Sequence, residues 1–336
     1  MYTNQALSDR LYAAVVTPYQ HNSYSVDEPA MRNLLRYFMQ PKFVDAGGGI
    51  IINPEAGELV YLSMEEKIRN MEIAMEECGG KVPVFAGIAG ITTDEAVKVA
   101  IKAKEIGVDG LFLMPPYGMA DLTISWDAEK YPEIWIDMAR EIFKAADLPA
   151  IAHPVASVTP LYGIGLPVGA TLRMVEELPN IIAWKMTYKY DGYRIIGKAL
   201  RGLDRHVGIL PSTAKNFHEI LSTELMDGVL TGSFNYGMEP IIDHIQAWRN
   251  SDLKEARRIW NSGAYALHDY VYSDYTRLHI RYKIATWLRG LIPHPLMRPP
   301  LPKPKKEEIT ALRGLLTGAG LNVIDEQEIK RISDAL

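Results

Sequence analysis

One cation interrupts an apolar run. Asn180 to Thr187 reads NIIAWKMT, and Lys185 sits near its C-terminal end. Such a run suits a short buried parallel strand. An ammonium there is expensive to bury unless it is paired. Two readings follow. Lys185 forms a structural ion pair or reaches the rim, or its pKa falls from about 10.4 until the neutral amine can attack a carbonyl. His153 ends a second apolar run, Pro149 to His153 (PAIAH), just before the lysine run in chain order. A lone histidine is usually a satisfied structural residue, but at a strand end it could carry protons. Other chemistry lacks its pattern. The eight histidines form no H-E-x-x-H and no strand-end H-x-H, so no catalytic metal is expected. There is no G-x-S-x-G. Cys78 is the only cysteine, at a helix end before Gly79-Gly80, which excludes a disulfide framework and a thiolate cluster. Tyr265, Tyr270, Tyr272 and Tyr275 lie on a helical stretch and read as packing.

Strands and helices alternate before and after Lys185. Strands are expected at Leu11–Tyr19, Gly48–Asn53, Val82–Ala89, Gly110–Met114, Pro149–His153, Asn180–Thr187, Val207–Leu210 and Gly228–Gly232. Helical patterns separate them, two opening on the capping boxes Ser63/Glu66 and Thr92/Glu95. Eight such units predict an α/β chain folded as a (β/α)8 TIM barrel, with its site at the C-terminal strand ends. An open dinucleotide-binding sheet would carry a Gly-rich turn after strand one, where this chain has Thr17-Pro18-Tyr19. Beyond Met238 only helices are expected, at Ile241–Arg249, Lys254–Tyr272, Leu278–Leu291 and Glu308–Thr317. The division is a barrel over 1–237 and a C-terminal helical appendage over 238–336.

The 336 residues carry a formal charge of −5, which gives no footprint for nucleic acid. No apolar run reaches the roughly 18 residues of a membrane span. With one cysteine and no secretory pattern near Met1, a cytoplasmic protein is expected.

Taken in order, the motifs resemble those of the dihydrodipicolinate synthase and N-acetylneuraminate lyase family, lysine-dependent barrel lyases and aldolases acting on 2-keto acids. Thr17-Pro18-Tyr19 fits its T-P-F, and Pro54-Glu55-Ala56-Gly57-Glu58 falls on its G-T-T-G-E. Leu62-Ser63 and Glu66 follow in register, and Pro116-Tyr117 fits the P-Y after strand four. Gly228 to Asn235 (GVLTGSFN) fits the strand-eight motif, and Arg298-Pro299-Pro300-Leu301 fits R-x-P-L. Lys185 then falls on the Schiff-base lysine. The resemblance implies a small-molecule carbonyl substrate, a 2-keto acid by class, no cofactor, and a homo-oligomer, most often a tetramer of dimers meeting at the loop after strand four. It implies Tyr117 as a catalytic group, and Thr17, Glu55, Ala56, Gly232 and Ser233 around the substrate.

The chain departs from the family where protons move. His153 replaces the relay tyrosine after strand five, and Gly118 replaces the tyrosine after strand four. Glu55 and Ala56 replace two threonines, and Val158 falls on the synthase's substrate arginine. Neither the lysine-pathway synthase nor sialic acid lyase fits. Glu55 could act as a base, pair with Lys185, or point to solvent. Glu58 is expected to tie down its own loop. A lyase using Lys185, with His153 moving protons, is one reading; a non-catalytic metabolite-binding barrel with a Lys185–Glu55 pair is the other. A free imidazole in the relay predicts an activity limb between about pH 5.5 and 7.5.

Overall fold

The computed structural model describes residues 2–117 and 125–334. The expected barrel is present. Its strands are β1 (Leu11–Ala14), β2 (Gly48–Ile52), β3 (Val84–Ile88), β4 (Gly110–Leu113), β5 (Ala150–Ala152), β8 (Ile181–Met186), β9 (Gly208–Pro211) and β10 (Val229–Thr231). They form one parallel sheet in the order β10-β1-β2-β3-β4-β5-β8-β9. All eight are buried along their length, as their near-continuous apolar sequences require when both faces are covered. The ring closes between β9 and β10 through Asp227: its N–H donates to the Ile209 carbonyl at 3.1 Å, and its carboxylate accepts from the Ile209 N–H at 2.8 Å.

The short helices Asn4–Ser8, Pro41–Asp45 and Glu326–Ser333 escaped the sequence pattern, and so did two larger features. After β5 the chain forms an antiparallel hairpin, β6 (Val155–Thr159) with β7 (Gly163–Gly165), outside the barrel sheet. The segment 254–272, expected as one helix, is two. Leu253–Ile259 and Tyr265–Val271 flank a widened turn, Trp260–Ala264, in which Gly263 has φ +106°. A Cβ at Gly263 would lie 2.5 Å from the Gly318 carbonyl, so the break lets the helix Lys306–Gly318 approach. Both capping boxes form as expected.

The C-terminal helices share one continuous core with the barrel. The helix Phe234–Arg249 leaves the barrel with a non-helical residue at Gly237, and Leu278–Leu288 is buried along most of its length. Among the described residues, no helix is long and apolar enough to cross a membrane.

An imidazole stack fastens these helices. His244 packs on Trp260 at 4.9 Å between centroids, and its Nε2 lies 2.9 Å from His218 Nδ1. His268 Nδ1 lies 3.1 Å from the Tyr236 hydroxyl. Burial, and secondarily a neighbouring imidazole, holds His244 and His268 each down to about 3. Both are therefore neutral in the fold, while the unfolded chain takes up their protons below about pH 6.5. Stability from these two sites is complete above that pH and falls between it and about pH 3. The slope is about 1.4 kcal/mol per pH unit for each histidine. Urea unfolding of His268→Phe at pH 5.5 and 4 should show that slope reduced by one proton's worth. An unchanged slope would mean that His268 is protonated within the fold.

Candidate active site

Lys185 is the penultimate residue of β8 and only 8% exposed. Burial lowers its amine from 10.5 to about 8, and the Glu55 carboxylate opposes that fall. The side chain runs along the Phe112 ring, with Nζ 5.5 Å from its centroid. Nζ lies 3.5 Å from His153 Nδ1.

His153 follows β5 directly and is fully buried, its N–H donating to the Leu113 carbonyl at 2.9 Å. A hydrogen-bond chain fixes its tautomer. The Met186 carbonyl can only accept, so Ser212 Oγ donates to it at 3.2 Å. Thr187 Oγ1 then donates to Ser212 Oγ at 3.1 Å, and accepts from His153 Nε2–H at 3.1 Å. That leaves the Nδ1 lone pair facing Lys185. The same nitrogen has Met114 Sδ at 3.3 Å and Glu55 Oε2 at 3.4 Å. Burial first, then Lys185 and His279, pushes the His153 imidazole well below its usual range. An activity limb at pH 5.5–7.5, expected for a free imidazole, therefore moves to lower pH.

Glu55 opens a single turn, Glu55–Gly57, after β2. The turn is pinned from beneath, because Thr17 Oγ1 donates to the Gly57 carbonyl at 2.7 Å. The Glu55 carboxylate points inward to His153. No direct Lys185–Glu55 ion pair forms, so the pair that the binding-only reading would entail is not found. The N–H groups of Gly57 and Glu58 are used within the loop, whereas no loop carbonyl takes those of Glu55 and Ala56. Glu58 does more than tie its own loop. It is buried, at φ +64°, and pairs with the buried ammonium of Lys283 while accepting from the Arg298 N–H at 2.9 Å. Those partners come from the C-terminal extension, Lys283 on the helix Leu278–Leu288 and Arg298 on the loop after it, 225 and 240 residues away.

Lys185, Glu55, Ala56, Gly232, Thr187, Tyr272, His279 and Tyr282 line one cavity of about 20 Å³, room for roughly one water. Gly232 is needed beside it: a Cβ there would lie 2.4 Å from the Tyr282 ring. Thr17 and Ser233, expected around the substrate, do not line the cavity; both hydroxyls are spent on structure. Thr17 holds the Glu55 turn. Ser233 Oγ lies 3.2 Å from the Tyr272 hydroxyl and accepts from Tyr236 at 3.0 Å. Tyr117 is also outside, in an adjoining cleft of about 220 Å³ with Glu55, Trp126 and Ile164. Burial, then Glu55, raises its phenol well above 10. A second cleft, about 420 Å³, shares Thr187, Tyr272 and Tyr275 with the cavity and has Lys189 and Lys215 on its wall. Val158 lines that cleft. Gly118 and Met119, at the expected subunit contact, lie outside the described residues. Burial pushes the Cys78 thiol up to about 12, far from a nucleophile's range.

Lining groups given no functional role in the sequence include Thr187, Ser212, Tyr272, His279 and Tyr282. Tyr272 belongs to the tyrosine cluster read as packing, yet its hydroxyl donates to the Ser212 carbonyl at 2.7 Å. His279 begins the helix Leu278–Leu288 and carries no motif.

Comparison with known proteins bears on the family and the fold. The chain is 26% identical over 324 residues to an uncharacterised DapA-like lyase of Thermofilum pendens, covering 94% of this chain and all of that one. It is 26% identical over 245 residues to a protein of Escherichia coli named a probable 2-dehydro-3-deoxy-D-pentonate aldolase, covering 70% of this chain and 73% of that one. The fold is that of dihydrodipicolinate synthase from Aquifex aeolicus, with TM-score 0.76, 24% identity, and 94% and 100% of the two chains covered. The profile of one family extends over residues 7–319, nearly the whole barrel and most of the appended helices. With a lysine near the end of β8 and a matching chain course throughout, the protein belongs to the dihydrodipicolinate synthetase family.

Proposed function

We propose that Lys185 is the Schiff-base nucleophile of this lyase and that a 2-keto acid is the carbonyl it attacks. The observation that carries the reading is an amine lowered to about 8 with a hydrogen-bond acceptor, His153 Nδ1, 3.5 Å away. His153 takes the ammonium proton, and the free amine adds to the carbonyl carbon. Proton transfers release the carbonyl oxygen as water, which leaves an iminium on Nζ. That nitrogen accepts the electron pair when a neighbouring C–C bond breaks or a proton leaves the adjacent carbon. Cleavage, addition and dehydration all pass through this intermediate. Glu55, 3.4 Å from the same imidazole nitrogen, stabilises the imidazolium between transfers. The free N–H groups of Glu55 and Ala56 serve the substrate carboxylate, while the Glu55 charge is directed at His153.

Several further assignments belong to the same proposal. The barrel spans 1–237 and the extension 238–336 supplies one wall of the site. The two clefts beside the cavity hold what the substrate carries beyond its keto-acid end. Neither synthase nor sialic acid lyase chemistry is expected, since no arginine stands at Val158. Tyr117 acts on the distal part of the substrate. The family's homo-oligomeric assembly and a cytoplasmic setting are carried over with it. The binding-only barrel is the less favoured reading, because the Lys185–Glu55 pair it entails is replaced by a Glu55–His153 contact.

His153→Phe tests the relay. Reductive trapping of pyruvate by borohydride should slow by roughly 10²-fold, the usual scale for losing a proton-transfer group. In the wild type, trapping should rise with pH towards about 8 as the amine is freed. Equal trapping by His153→Phe and wild type across that range would make His153 a packing residue.

A further inference from the structure

We infer that His279, from the C-terminal extension, is the group that takes and returns a proton on the substrate carbon next to the iminium. This rests on the reading of Lys185 as nucleophile, and assigns a step that His153 cannot serve.

Geometry separates the two imidazoles. His153 is not among the residues lining the cavity, and its Nε2 is committed to Thr187 while Nδ1 faces Lys185, Glu55 and Met114. It is placed to serve the amine. His279 lines the cavity from the first turn of the helix Leu278–Leu288. Its ring leans on Tyr282, 5.8 Å between centroids, and neither ring nitrogen has a hydrogen-bond partner among the described residues. Lys185 and His279 line the same cavity, and the charges of Lys185 and Glu55 both act on the His279 ring. A two- or three-carbon unit built on Lys185 Nζ therefore grows into the space that His279 borders.

The other lining groups are less suited. The Tyr272 hydroxyl donates to the Ser212 carbonyl at 2.7 Å, and Tyr282 donates to Tyr272 at 2.6 Å, so both protons are engaged. Tyr275 is 51% exposed, and a phenol is a poor base near pH 7. Glu55 is drawn to His153. Burial holds His279 below the usual imidazole range, with Glu55 opposing and Lys185 assisting, so the ring is neutral and able to accept a proton.

The step balances. His279 removes a proton from the carbon adjacent to the iminium, and the C–H electron pair moves through the new C=C bond onto Nζ. The enamine then takes a proton back from His279. In heavy water this replaces hydrogen by deuterium and consumes nothing.

Pyruvate in D2O is the probe, with methyl exchange followed by proton NMR and adduct formation followed by borohydride trapping and mass. The wild type should do both. His279→Phe should still trap pyruvate within a few-fold but exchange its methyl protons at least 10²-fold more slowly. Should that variant fail to fold, His279→Asn keeps the size and polarity without the basicity, and should behave the same way. In His279→Ala, added imidazole should restore exchange. Full exchange in a trapping-competent His279 variant overturns the inference, and its loss in Glu55→Gln alone would name Glu55 as the base. A wild type that traps no pyruvate would remove the lysine reading itself, and this assignment with it.

Discussion

Lys185→Met should abolish turnover and, at the same time, make the fold more stable. The first effect is loss of the nucleophile, with no other lysine among those lining the cavity. The second follows from burial. An amine lowered from 10.5 to about 8 is one that the folded state holds unwillingly. The unfolded chain binds the proton more tightly, so this cost is present in full below about pH 8. It is relieved as pH rises from about 8 to 10.5. At neutral pH it amounts to about 3 kcal/mol as an upper figure, and the unbranched methionine fills the same channel along Phe112. Activity assays with urea unfolding at pH 7 would check both. A variant that is inactive and also less stable would show that Lys185 is held by favourable contacts and is not strained into readiness.

The second large effect lies in the buried pair that links the loop after β2 to the C-terminal helices. Lys283 and Glu58 have side chains 0% and 1% exposed. Lys283 also donates to the Leu296 carbonyl at 2.6 Å and lies over the Tyr19 ring at 4.2 Å. Lys283→Met leaves the Glu58 carboxylate in the core without its cation, beside the Arg298 N–H. Breaking a buried pair in this way costs about 3–5 kcal/mol. Glu58 directly follows the Glu55–Gly57 turn, so activity should fall with stability. Adding Glu58→Gln should recover part of the loss, because no charge is then stranded. Chemical denaturation of the two single variants and the double variant would measure this coupling. Losses that simply add would show that the pair contributes nothing beyond its separate members.

The barrel was legible in the sequence because parallel strands buried on both faces must be apolar throughout, and helices must alternate with them. The strand ends were less so. β1 was expected to reach Tyr19 and stops at Ala14, though Val15 N–H still donates to Ile51 and Val16 N–H donates to Asn235 Oδ1. The last contact spans 219 residues, and nothing near Val16 announces it. Lys185 and His153 were legible because each is a polar residue closing an apolar run. Their mutual orientation was not, since it depends on Thr187 and Ser212, ordinary hydroxyls at the ends of β8 and β9. The inward turn of Glu55 was one of three open alternatives. Thr17 and Ser233 lie at the expected strand ends but spend their hydroxyls on structural bonds, because motif position says which loop a residue belongs to but not where its hydroxyl points. His279 was invisible for a related reason: it enters the site only through packing of the extension across the barrel mouth.

The central claim is a covalent bond to one lysine, and one measurement reaches it directly. The protein is incubated with pyruvate, reduced with borohydride, digested, and the modified peptide sequenced by mass spectrometry. The account predicts one adduct, pyruvic acid less water plus two hydrogens from the reductant, located on Lys185 and absent from Lys185→Met. An adduct on another lysine, or none under conditions where the folded wild type is saturated with pyruvate, would contradict it.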